Sequence, residues 1–192
     1  MGMPAAAHRW TAEDVRALPN DGNRYELISG QLVATPSPRG IHQVAVVELA
    51  SRLGAWLKES RAGHLLFSPA DISLGEDEVL QPDLFIYRTA SGRQLRDWSD
   101  IAALLLVIEV LSPSSARYDR NLKRRRYQRA RVPEYWIVDL DGRVIERWRP
   151  DDERPAILGE RLTREAVPGA DALELDLRAL FAEIWGDEPS PN

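Results

Sequence analysis

The chain has 192 residues, of which 44% are hydrophobic and 29% charged, and a formal net charge of −5; the length allows a core burying roughly 70% of the unfolded surface, and the composition excludes disorder throughout. Cysteine is absent, which excludes disulfides, thiolate catalysis and cysteine-bound zinc and leaves metal binding to oxygen ligands. No segment has the length and apolarity of a membrane span, and the N-terminus lacks a secretory core, so a cytoplasmic protein is expected.

The negative average hides a local reversal. Residues 117–131 hold eight Lys or Arg against one acid, Asp119. Such a run is either a solvated helix face or a phosphate-facing surface, with Arg117, Arg120 and Arg124 as the candidate phosphate contacts.

In chain order, Thr11 and Asp14 form a capping-box pattern for a short helix ending near Leu18, before a turn at Pro19-Asn20-Asp21-Gly22. Tyr25 to Ile28 and Gln31 to Ala34 read as a hairpin around Ser29-Gly30. From Gly40 to Lys58, Val46, Leu49, Leu53, Trp56 and Leu57 repeat with helical spacing, and His42 shares their face. His64 to Phe67 and Asp71 to Leu74 read as extended segments flanking Ser68-Pro69, followed by an acidic turn at Gly75 to Glu78.

Leu84 to Tyr87 and Ile101 to Leu111 are the clearest strands, the second apolar enough to be central and covered on both faces. Ser112-Pro113-Ser114-Ser115 breaks it and offers caps for a helix over Ala116 to Ala130, which Val132-Pro133 stops. Glu134 to Asp139 and Val144 to Trp148 then form a hairpin across Asp141-Gly142. Beyond Pro150 the pattern predicts short extended pieces near Ile157-Leu158 and Leu173 to Leu175, and a helix from Leu177 to Trp185. One domain over residues 1–185 and a loose tail over 186–192 are expected.

The chemistry is concentrated in three residues. Asp83 opens one apolar strand, Glu109 ends another, and Lys123 stands on the basic helix that follows. If the strands are antiparallel neighbours, both carboxylates meet at one end of the sheet. Mg²⁺ is usually held by one or two carboxylates with water and substrate phosphate, and a nearby ammonium adds positive charge where a phosphoryl transition state needs it.

Each residue also has a plainer reading. Asp83 taken alone also suits meeting a turn amide, but Glu109 and Lys123 beside it put the functional reading ahead; Glu109, alone, suits a solvated strand end, although a charge continuing an apolar run is costly unless paired or metal-bound. Lys123 is set apart by helical phase: at about 100° per residue, Ala116, Asp119, Tyr127 and Ala130 lie within about 40° of it, while Asn121, Arg125 and Gln128 lie opposite. Glu26 reads as a third metal-site carboxylate or the polar position of a strand, His42 as a core histidine or an accessory ligand, and Tyr127, Tyr135 and Trp136 as wall residues first. Trp98 reads as a packing residue before a base-stacking one.

These residues, in this order, resemble the PD-(D/E)XK nuclease superfamily and, within it, the Uma-type restriction-endonuclease family. The matching segments are Trp10-Thr11 with Leu18-Pro19, Arg24-Tyr25-Glu26-Leu27-Ile28, His42, Gln81-Pro82-Asp83, Glu109-Val110-Leu111-Ser112-Pro113-Ser114, Lys123 with Tyr127, and Pro133 to Asp139. The resemblance implies an α/β fold with a restriction-endonuclease-like mixed central β-sheet flanked by helices. It also implies Asp83 and Glu109 as metal ligands, Lys123 as catalytic lysine, Glu26 as an accessory acid, and Mg²⁺ or Mn²⁺ as cofactor. The chain departs from the superfamily pattern at Leu111, where a lysine is usual, and the inward phase of Lys123 fits a lysine moved to the next helix. Ser29 stands where the family usually has an acid or amide.

The expected activity is metal-dependent cleavage of DNA, by a monomer or a homodimer with symmetry-related sites. Two other readings use the same sequence: a silent module that binds nucleic acid or protein, and a structural homo-oligomer built on Tyr135-Trp136.

Overall fold

Alternation of apolar side chains along two long strands organises the molecule. The computed structural model describes residues 9–19, 21–75, 78–91, 95–165 and 171–187. Helix α1 (Ala12–Arg16) leads into the hairpin β1 (Arg24–Ile28) and β2 (Gln31–Thr35). Helix α2 (Gly40–Ser60) follows, and then β3 (His64–Phe67), β4 (Leu84–Thr89) and β5 (Ile101–Val110). A helical segment made of α3 (Ala116–Tyr118), a π turn (Asp119–Lys123) and α4 (Arg124–Arg129) crosses to β6 (Tyr135–Asp139) and β7 (Val144–Trp148). Strands β8 (Ala156–Leu158), β9 (Arg161–Arg164) and β10 (Leu173–Asp176) and helix α5 (Leu177–Trp185) complete it.

Six strands form one mixed sheet in the order β3-β4-β5-β6-β7-β8, with β1-β2 and β9-β10 as separate two-stranded ribbons. Among the described residues of this sheet, β5 and β6 pair in parallel and the other neighbours are antiparallel. This is the mixed central sheet flanked by helices that the resemblance implied. One face (Leu84, Ile86, Leu106, Ile108, Trp136, Val138) packs against α2 and α5. The other face (Phe85, Tyr87, Val107, Tyr135, Ile137) packs against the first hairpin and Tyr127. A register shift opposite Ile86 and Tyr87, which pair with Leu106 and Leu104, lets Leu104 and Leu106 face opposite sides.

Asp83 and Glu109 share strand parity with Phe85 and Val107, so both belong to the face that carries the hairpin and the basic helical segment. The hairpin is attached there by a backbone bridge between Leu27 and Val79.

Several local expectations are met. Thr11 and Asp14 make a reciprocal capping box, Ser29 and Gly30 both take positive φ in the β1–β2 turn, and β5 is buried toward its C-terminal end. Others are corrected. Asp71 to Leu74 forms one bridge, Ile72 with Leu80, rather than a strand, because the Glu78 carbonyl, the next ladder acceptor toward Leu74, takes the Ser73 hydroxyl at 2.8 Å instead. The helix expected over 116–130 is interrupted by the π turn, although its entry is capped from within the Ser112–Ser115 run as expected, the Ser112 hydroxyl accepting from the Ser115 amide at 3.2 Å. Strand β9 was not foreseen.

Parts of the Pro19–Gly22 and Gly75–Glu78 turns, at Asn20, Glu76 and Asp77, lie outside the described residues. So does most of the expected tail, 188–192. Gly186 closes α5 in the left-handed region, and Asp187 pairs with Arg143 at 2.6 Å.

Candidate active site

The β4–β5 register pairs Leu84 with Ile108, so one residue further Asp83 lies across from Glu109. Both are buried, as are Glu26 and Lys123, at 4%, 1%, 1% and 2% exposure. The Lys123 ammonium joins the acids: its Nζ lies 2.8 Å from Glu26 Oε2, 3.0 Å from Glu109 Oε1 and 3.3 Å from Asp119 Oδ1. Asp83 is held from three directions. Its Oδ2 accepts the Val110 amide at 2.8 Å and lies 3.1 Å from His42 Nε2, while its Oδ1 accepts from Arg24 Nη1 at 2.7 Å. Because an ionised carboxylate can only accept, His42 carries its hydrogen on Nε2. Glu26 Oε1 accepts the Gln81 amide at 2.7 Å, which ties the hairpin acid to the segment entering β4.

Two carboxylates thus face each other across antiparallel strands, with the lysine delivered from the next helix. Residues 12–179 match the family described as "Uma2: Putative restriction endonuclease". The chain belongs to the Uma2 family. Its fold is similar to that of "a putative nuclease belonging to DUF820 from Anabaena variabilis ATCC 29413", with a TM-score of 0.75, 21% identity, and coverage of 91% of this chain and 99% of that one. No curated protein matches it.

Within this Uma2 site, four acids (Glu26, Asp83, Glu109, Asp119) face two permanent cations, Lys123 and Arg24. The electrostatics divide the two strand acids. Burial alone would raise Asp83, but the His42 hydrogen bond and the charges of Arg24, His42 and Lys123 hold it well below the usual carboxylate range. Burial pushes Glu109 well above that range, reinforced by Asp83 and Asp119 and opposed by Lys123 and Arg24. Asp119 is raised by burial as well. Lys123 loses solvation, yet Glu109, Glu26 and Asp119 more than compensate, so it stays charged.

The site opens on a cleft of about 810 Å³ whose walls include Leu18, Val46, Val47 and Phe67 and whose polar lining includes Arg24, His42, Gln81 and Asp83. Tyr127 lies below the cluster, its hydroxyl buried without a hydrogen-bond partner and its ring 4.9 Å from Tyr135. Of the arginines singled out from sequence, Arg117 is exposed. Arg120 bonds Glu146 and Asp139 at 2.7 and 2.8 Å, and Arg124 lies over Trp148 at 4.5 Å. Trp98 packs edge-on to Phe85.

Sequence reasoning passed over Arg24 and Asp119 as members of the cluster. Both carried a signal: Arg24 stands two residues before Glu26 on the same strand face, and Asp119 four residues before Lys123 on the same helical stripe.

Proposed function

We propose that the protein is a divalent-metal-dependent endonuclease that hydrolyses phosphodiester bonds in DNA. The convergence of Asp83, Glu109, Glu26 and Lys123 beside an open cleft carries this reading. The donor set fits Mg²⁺ or Mn²⁺: it is all oxygen, it holds more acids than cations, and Asp83 borders the cleft. Asp83 and Glu109 would hold the ion, with Glu26 assisting. When bound, the ion polarises the phosphoryl oxygen and lowers the pKa of a coordinated water.

The chain's own residues do the rest. Lys123 remains protonated, so it donates hydrogen bonds that orient the attacking water and offsets charge growing on the phosphoryl oxygens; it does not act as base. His42 and the Val110 amide keep Asp83 ionised and aimed. Arg117 would meet flanking backbone phosphates, whereas Arg120 and Arg124 would have to exchange present partners to do so. Cleavage of both strands would take two symmetry-related copies.

Supercoiled-plasmid nicking in Mg²⁺ or Mn²⁺ tests the proposal. Wild-type protein should nick, and Asp83→Ala and Lys123→Ala should each lose on the order of 10²-fold or more. Undiminished nicking by either variant would sink the assignment.

A second reading has one observation in its favour. Among the described residues, no three His, Asp or Glu side chains already form a cation cage, because Lys123 and Arg24 fill the space between the acids. In that reading the cluster is a closed ion network on a silent binding module. Calorimetric titration with Mn²⁺ separates the two, since the closed network gives no specific heat.

A further inference from the structure

We propose that Arg24 is the residue that grips the substrate phosphate, an inference that rests on the phosphodiesterase reading above. Arg24 is enclosed but incompletely used. An arginine carries five N–H donors in a planar fork, yet only Nη1 is bonded, to Asp83 Oδ1 at 2.7 Å. Nη2 stands 3.7 Å from Glu109 Oε2 and 3.9 Å from Glu26 Oε1, too far for hydrogen bonds. Nε and Nη2 are buried with no hydrogen-bond partner. Buried donors left unbonded are costly, so a fork kept in this state is prepared for an acceptor that arrives from outside.

The direction of arrival follows from position. Arg24, His42, Gln81 and Asp83 line the cleft, whereas Glu26, Glu109 and Lys123 do not. The Arg24 side chain is 21% exposed, against 2% for those of Glu109 and Lys123. A phosphodiester entering the cleft therefore meets the guanidinium before it meets Glu109. Without that cation, an anion entering by the cleft would meet the Asp83 carboxylate first and be repelled by it. Arg16, the other cation on the cleft wall, is exposed on α1. A planar fork matches two phosphate oxygens at once, which an ammonium cannot do. Arg24 would then release or share Asp83 and bind the phosphate through Nε and Nη2, bringing it against the carboxylates.

A purely structural counter-ion makes a different prediction. Binding of a fluorescent short duplex, and of its single strand, can be followed by anisotropy across a salt series in Ca²⁺ and in EDTA, alongside thermal melting. With Arg24 on the phosphate, Arg24→Gln should weaken binding about tenfold and flatten the slope of log K against log salt by about 0.9, one phosphate contact. Arg24→Lys, which keeps the charge but loses the fork, should keep the melting temperature and most of the slope while binding severalfold more weakly. Arg24→Lys binding as tightly as wild type would overturn the proposal. So would a wild-type protein that binds neither strand form. Because the readout is binding, protein that binds through Arg24 but never nicks removes the nuclease reading alone, and protein that nicks indifferently to Arg24→Lys removes this one alone.

Discussion

Glu109 and Asp83 lie across one strand pair, yet burial and charge drive them apart. The folded protein holds the Asp83 carboxylate below its ordinary value of 3.8, so its stabilising contribution is present above that value and lost as pH falls below it. Glu109 behaves in the opposite sense. Its folded value is raised above 4.5, so the favourable neutral form contributes fully below that value and the contribution is lost as pH rises through the raised one. Glu109→Gln cannot ionise but still accepts from Lys123. Without divalent ions it should melt like wild type near about pH 5 and above wild type near about pH 8, while losing the Mn²⁺ titration heat. A melting deficit of equal size at both pH values would refute this account of Glu109.

The element that brings Lys123 to the acids is the π turn. The Arg124 amide reaches back five residues to the Asp119 carbonyl, which also accepts from the Tyr135 hydroxyl at 3.1 Å. Asp119, Lys123 and Tyr127, four residues apart along one stripe, all point inward, although the segment as a whole is strongly basic. Inserting one alanine beside Asn121, which is exposed, should add about 100° of helical rotation and turn Asp119 or Lys123 away from the cluster. The variant is expected to keep its far-ultraviolet circular dichroism and lose nicking. Retained nicking would show that the phase of this segment is incidental to the site.

At the scale of the molecule, the cluster draws on β1, β4, β5 and the 116–129 helical segment, which meet only in the folded state. A cation that binds there binds the folded form alone. Saturation at about a hundredfold above Kd stabilises by about 2.7 kcal/mol, equivalent to a rise of roughly 5–10 °C in Tm for a chain of this size. Mn²⁺ should produce that shift in wild type and none in Asp83→Ala, as differential scanning fluorimetry would show. An equal shift in both would place the cation elsewhere.

Periodicity made much of the fold legible. The run Leu104 to Ile108 marked the central strand, the spacing from Val46 to Leu57 marked α2, and Ser29-Gly30 and Val132-Pro133 marked a turn and a stop, because each pattern reflects local backbone preference and one-sided burial. Strand β9 escaped because Arg164 looks like a surface residue, yet its head bonds the Leu105 carbonyl at 2.9 Å and its guanidinium lies over Trp56. Nothing local to Arg161–Arg164 encodes that burial.

The candidate site divides in the same way. Residue type, position at the strand ends and helical phase by themselves marked Asp83 and Glu109 as candidates for one end of the sheet and Lys123 as inward-facing. Only the tertiary structure decided that Arg24 and Asp119 complete the cluster, that Arg120 is committed to Asp139 and Glu146, and that the pKa values of Glu109 and Asp83 are displaced in opposite directions. Charge coupling depends on distance and desolvation, and both are set by how distant segments pack rather than by spacing along the chain.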